Sequence, residues 1–151
     1  MAKTYRVGSL VRISNAIVTA LLRRGVPIGR NALLTVPGRT TGEPRTTPVT
    51  PLEWQGERWL QSPFGEVNWV RNLRAAGGGT LSRGRRQEEI TVVELPPAEA
   101  ARVLKATLAT YPSLIKGYFD VTPDSPLAEF EREAPRHPLF RIVSARLLSS
   151  S

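Results

Sequence analysis

The chain has 151 residues, 40% hydrophobic and 23% charged, with 21 lysine and arginine side chains against 13 acids and a formal net charge of +8. That length suits a single domain, residues 1–151, around one core, and the composition excludes disorder along the whole chain. Cysteine is absent and His137 is the one histidine, which excludes disulfides, zinc–thiolate sites, iron–sulfur clusters, cysteine nucleophiles and two-histidine mechanisms and fits a cytoplasmic location.

Residues 1–48 hold eight basic side chains and one acid, Glu43, a local charge of +7. Within them Leu10, Ile13, Ile17 and Leu21 recur at spacings of three and four, and Arg23, Arg24 and Gly25 follow as stop signals. This predicts an amphipathic N-terminal helix over residues 1–25. Arg12, Ser14 and Asn15 interrupt its apolar face, so it is neither a signal peptide nor a membrane span. It packs on the domain, or residues 8–24 lie on the inner face of a membrane as a peripheral contact.

Strand periodicity begins after Asn31. Ala32 to Val36 is an apolar run ended by Pro37 and Gly38, and Thr46 to Trp54 is a second run, with Arg58 to Ser62 its partner across Gln55-Gly56. Pro48 and Pro51 predict an edge, a bulge or a barrel corner in the second run. Val67, Val70, Leu73 and Ala76 mark a short helix ended by Gly77-Gly78-Gly79, and Thr80 to Ser82 pairs with Glu88 to Leu95 around Arg83-Gly84-Arg85. A helix over Ala98 to Ala109, with Pro97 at its first turn, a loop from Asp120 to Pro126 and a short helix to Glu133 precede a last strand, Leu139 to Ser144. Residues 147–151 read as a loose tail. Short turns join the strands, so the expected fold is α+β: an antiparallel β-barrel of about six strands over residues 31–144, with peripheral helices.

Catalytic dyads are scarce. The adjacent acids Glu88 and Glu89 face opposite sides of a strand, and His137 precedes a strand in the role of a structural hydrogen-bonding group. The densest constellation is the bend from Pro37 to Pro48, where Gly38 and Gly42 permit unusual backbone angles and Arg39 and Arg45 add charge. Such a bend is either a hairpin with polar ends or a cradle in which three or four N–H groups meet an anion. The second constellation runs from Ser62 to Arg74, where Trp69 and Asn72 fall on neighbouring helical positions. There Trp69 is a core anchor and Asn72 ties down a loop, or both converge on a ligand. The charge alone also suits nucleic acid. Aromatics are only 7%, however, and the arginines cluster in turns with no recognition motif, so no nucleic-acid partner is expected.

Taken together, Gly38-Arg39-x-Thr41-Gly42-x-Pro44-Arg45-x-x-Pro48 and Gly65-Glu66-x-x-Trp69-x-x-Asn72-Leu73-Arg74 resemble the deazaflavin-dependent nitroreductase family, over about Asn31 to Ile142. Members are split β-barrel oxidoreductases, largely actinobacterial, that take a hydride from the reduced deazaflavin coenzyme F-420. The resemblance implies that Gly38, Arg39, Thr40, Thr41, Gly42 and Arg45 hold the coenzyme's phosphate and acidic tail. It further implies that Thr46, Thr47 and Pro48 lie along the ring with Ser62, Phe64 and Gly65 at its other edge. Trp69 and Asn72 support the site, and Arg71 and Arg74 extend the anion surface. Tyr118 is the candidate proton donor, or part of a Tyr-Phe pair in the core. Thr40 stands where many relatives have lysine and Val70 where many have tyrosine, and the loop before Trp69 is shorter. The acceptor is then a small molecule: a quinone, an enoate or a nitroaromatic. A carrier that binds coenzyme or a lipid-like ligand without turnover is the alternative, FMN is the competing cofactor on this barrel type, and the protein is a monomer or homodimer.

Overall fold

A computed structural model describes residues 31–111 and 113–149. The expected N-terminal helix and its membrane contact lie outside them. Seven strands, β1 (Ala32–Pro37), β2 (Pro44–Val49), β3 (Leu52–Trp54), β4 (Glu57–Gln61), β5 (Gly78–Arg83), β6 (Arg86–Glu94) and β7 (Leu139–Ser149), form one antiparallel sheet. Helix α1 (Asn68–Ala76) lies between β4 and β5, and α2 (Pro97–Thr107), α3 (Ser113–Lys116) and α4 (Leu127–Glu133) fill the span between β6 and β7.

The sheet order is β2-β1-β5-β6-β7-β4-β3, which places β2 and β3 at opposite ends. Only Thr50 and Pro51 separate them in sequence. Three Cα-to-Cα steps span at most about 10 Å, so the two ends of the sheet must meet and the sheet curls into a split barrel. Pro51 cuts the expected run Thr46 to Trp54 into two strands, hence seven strands rather than six. Pro44 and Pro48 fit because β2 is an edge strand, where a missing N–H costs no ladder bond.

The barrel interior holds Leu34, Val36, Leu60, Leu81, Ile90, Val92 and Phe140, and α1 covers one opening with Val70 and Leu73. Gly77, in the left-handed region at φ 75°, ends α1 by donating to the Leu73 carbonyl. Gly78 and Gly79, expected to extend that stop, belong to β5. A Cβ on Gly78 would collide with the Ile90 carbonyl, and one on Gly79 would sit 2.6 Å from the Thr35 carbonyl, so neighbouring strands leave no room for side chains. A second layer packs outside the sheet. Ala100 and Val103 of α2 meet Leu52, Trp59 and Leu139, while Ala101 and Leu104 meet Phe119 and Phe130.

The last strand is longer than expected. It pairs with β6 as far as Ser149 opposite Gln87, so residues 147–149, read as a tail, are part of the sheet.

Candidate functional site

A cavity of about 820 Å³ opens between the β1–β2 bend, β2 and α1. Eleven of the expected binding residues line it: Gly38, Arg39, Thr40, Thr41 and Arg45 at the bend, Thr46, Thr47 and Pro48 along β2, and Phe64, Trp69 and Asn72 opposite. Val36, Glu66, Val67 and Asn68 also line it and were not among the expected binding residues. Asn68 had a legible signal, since it lies one helical turn before Asn72 on the same face.

The bend is built differently from a backbone cradle. Gly42, at φ 76°, donates its N–H to the Gly38 carbonyl at 2.8 Å, and Gly38 N–H donates to the Glu43 carbonyl at 2.8 Å. Glu43 N–H is held by the Thr41 hydroxyl at 3.2 Å and Arg39 N–H by Asn72 Oδ1 at 3.1 Å. Among the described residues, the bend's N–H groups without a partner are those of Thr40 and Thr41. The expectation of three or four converging N–H groups is corrected: the polar surface here is mainly hydroxyl and guanidinium.

Arg39 is fixed by α1. Its Nη1 donates to Asn72 Oδ1 at 2.8 Å and its Nη2 to Asn68 Oδ1 at 3.4 Å. Both partners are neutral amides, so they orient the guanidinium without cancelling its charge. Asn72, only 5% exposed, thus does tie down a loop, and that loop is a wall of the cavity. Arg45 pairs with no carboxylate among the described residues. The apolar part of the lining is Val36, Phe64, Val67 and Trp69, the last packed 6.3 Å from Phe140 between their ring centroids, and Glu66 beside them is bound to Arg74. The Thr35 and Thr46 hydroxyls bond each other at 2.9 Å and tie β2 to β1.

Other expected residues stand apart. The Ser62 hydroxyl, fully buried, donates to the Gly65 carbonyl at 2.6 Å, so Ser62 and Gly65, at φ 88°, shape the turn that carries Phe64 without lining the cavity. Arg71 is exposed on α1 and does not line it either. Arg74 is bound to Glu94 at 2.7 Å and Glu66 at 3.0 Å, with its pKa raised first by the Glu94 hydrogen bond, so it adds no open cation. Tyr118 packs edge-on against Phe64 with ring centroids 5.0 Å apart and is outside the lining. It joins Phe119 in the α2–α4 cluster, which matches the core alternative for this pair.

Glu88 faces the barrel interior, only 8% exposed, and Arg58 (2.8 Å) and Arg86 (3.3 Å) flank it. Burial pushes its pKa up, and the two guanidiniums outweigh burial and leave it below the ordinary value. Glu89 is solvent-facing and meets Arg146 at 2.9 Å. Among the described residues no group of three acids or histidines could hold a metal, and no helix is long and apolar enough to cross a membrane.

The family model described as F420H(2)-dependent quinone reductase matches residues 7–122. No curated protein matches the chain. Among solved structures it is similar to one described as a domain-swapped dimer, at TM-score 0.53 and 18% identity over 89% of this chain and 99% of that one. It is similar also to a NimC/NimA family protein from Clostridium acetobutylicum, at TM-score 0.51 and 13% identity over 86% and 84%. A conserved hypothetical protein from Mycobacterium tuberculosis aligns at TM-score 0.51 and 17% identity over 97% and 87%. At such identities the likeness is one of fold.

Proposed function

The chain belongs to the F420H(2)-dependent quinone reductase family, with the reduced deazaflavin coenzyme as its cofactor, and from that premise we propose that the cavity beside the β1–β2 bend is where a hydride passes to an electron-poor acceptor. The acceptor class is a quinone, an enoate or a nitroaromatic. The observation that carries this reading is the cavity's mixed lining, with two guanidiniums and threonine hydroxyls from the bend and β2 and the apolar side chains Phe64, Val67 and Trp69 from the segment 64–69, where the one lining carboxylate, Glu66, is bound to Arg74. A ligand with an anionic tail and a flat apolar ring matches both parts of this lining.

The donor set fits the coenzyme's acidic portion. Arg45 and the N–H groups of Thr40 and Thr41 are open donors among the described residues, and Arg39 is held in place with its charge uncompensated. Elsewhere Arg58, Arg74, Arg86, Arg136, Arg141 and Arg146 sit on carboxylates. Uncompensated charge beside the cavity draws in an anion more effectively than paired charge elsewhere. Thr46, Thr47 and Pro48 would border the ring from β2, with Phe64 and Trp69 across from them.

When bound in reduced form the coenzyme supplies a hydride, which asks no acid–base dyad of the protein. The chain's own part is to hold ring and acceptor in contact and exclude water from the apolar wall. With Tyr118 behind the Phe64 ring, a proton for the product comes from solvent or a lining threonine hydroxyl.

The test is a fluorescence titration of oxidised F-420 and of FMN against one sample, followed by oxidation of the reduced deazaflavin with menadione. Saturable deazaflavin binding at roughly tens of micromolar and turnover are expected. No binding there refutes the site, binding without oxidation across several acceptors marks a carrier, and preference for FMN replaces the cofactor.

A further inference from the structure

The turn that places Phe64 in the cavity wall is anchored by a side chain the cavity does not touch. Besides its Ser62–Gly65 bond, the turn is held where Ser62 N–H donates to the Pro138 carbonyl at 3.0 Å and where the Pro63 carbonyl meets Nδ1 of His137 at 2.8 Å. His137 is 2% exposed, with its ring stacked on Phe119 at 4.0 Å between centroids. Its Nε2 lies 2.5 Å from Glu133 Oε2.

A carbonyl oxygen only accepts, so this arrangement needs a hydrogen on Nδ1. Neutral imidazole has one N–H, and a carboxylate at the other nitrogen competes for it. Burial pushes the His137 pKa down, which disfavours a freestanding imidazolium. One further proton shared between Nε2 and Glu133 Oε2 satisfies every contact. Glu133 is itself fixed, by Asp120 N–H at 3.1 Å and Arg136 Nη1 at 3.2 Å, and Arg136 also bonds Asp120 at 2.9 Å.

We propose that His137 is a positioning residue for the cavity wall: with one proton shared between its Nε2 and Glu133 Oε2, its Nδ1–H is left to hold the Pro63 carbonyl, and Phe64 is thereby set against the bound ring and acceptor. Tyr118, edge-on to Phe64, supports the same ring from its own side. The effect on turnover rests on the reading of the cavity as the coenzyme site; the tautomer and its hold on the turn do not.

Because the chain has a single histidine, its imidazole nitrogen-15 signals in the full-length protein report this tautomer directly, without coenzyme. The expected result is a protonated Nδ1 at neutral pH, and a bare Nδ1 overturns the proposal. His137→Asn keeps an N–H near the Nδ1 position and His137→Leu removes it. In the leucine variant the Ser62 and Val67 amides, bonded to the Pro138 and Gly65 carbonyls, are expected to exchange with solvent about tenfold faster, and kcat/KM for menadione to fall about tenfold, as for one lost buried hydrogen bond. The coenzyme Kd, set at the bend, is expected to stay within about threefold, and the asparagine variant to recover most of kcat/KM. Unchanged amide exchange in the leucine variant, or no recovery with asparagine, overturns the proposal. If the leucine variant does not fold, Glu133→Gln decides: its amide can donate to Nε2 and is expected to keep Nδ1 protonated, while a bare Nδ1 there refutes the part given to Glu133. Failure of coenzyme to bind leaves the nitrogen-15 and exchange results standing, so the two readings fail separately.

Discussion

Replacing Asn72 by alanine removes the shorter of the two side-chain contacts by which α1 holds the bend. One oxygen, Oδ1, accepts from Arg39 N–H at 3.1 Å and from Arg39 Nη1 at 2.8 Å. An ordinary hydrogen bond contributes about 0.5–1.5 kcal/mol and one to a charged group about 1.5–3. Water replaces part of the second, because Arg39 is on the exposed side of the pair, so the net loss of stability is about 2–3 kcal/mol. For a chain of this size that lowers Tm by roughly 4–12 °C. The coenzyme must then order the bend itself, and its Kd rises by about tenfold or more. Thermal melting by circular dichroism and fluorescence titration with oxidised F-420 measure the two effects. Asn72→Asp separates them: it keeps an acceptor for both donors and so most of the stability, but its charge cancels that of Arg39 and weakens coenzyme binding. A variant Asn72→Ala that melts and binds as the wild type does would show that Asn72 does not hold the bend.

Arg45→Ala is expected to raise the coenzyme Kd by about 10- to 100-fold and flatten its dependence on salt. Stability should stay within about 0.5 kcal/mol, as befits a side chain with no ion pair among the described residues; equal losses of Tm and affinity would count against a binding role. Gly79→Ala puts a Cβ 2.6 Å from the Thr35 carbonyl and should cost about 1–3 kcal/mol in urea unfolding, so an unchanged midpoint would contradict the β1–β5 register. Glu88 titrates below its ordinary value of 4.5 in the folded chain, so the unfolded chain binds more protons and the stabilisation is lost as pH falls through that range. Urea midpoints from pH 6 down to 3 should fall less steeply in Glu88→Gln; parallel profiles would remove this carboxylate from the acid response.

Much of the fold was legible because its signals are local. The apolar run Ala32 to Val36, the turn Gln55-Gly56, the helix stop at Gly77 and the proline at the start of α2 each act within a few residues of themselves, and each element formed where those signals stand. The cavity's polar lining was legible for a similar reason, since bend and β2 are contiguous in sequence and glycine, threonine and arginine advertise their chemistry. What the residues between 31 and 48 could not say is which of their donors remain open. That depended on Asn68 and Asn72, some thirty residues away, and on bonds inside the bend that used the Gly38 and Gly42 N–H groups.

Tertiary structure alone decided three matters. It closed the barrel, because a two-residue corner at Thr50-Pro51 joins strands that sit at opposite ends of the sheet order. It withdrew Tyr118 from the cavity and put Phe64 in front of it, since the ring's direction follows from α2–α4 packing and not from the neighbouring sequence. It joined His137 to Pro63, residues 74 apart, across the β4–β7 pairing. The physical reason is common to all three: a side chain's type and local backbone preference are set by covalent structure and near neighbours, whereas its partner is set by which distant segment the burial of apolar surface brings within hydrogen-bonding reach.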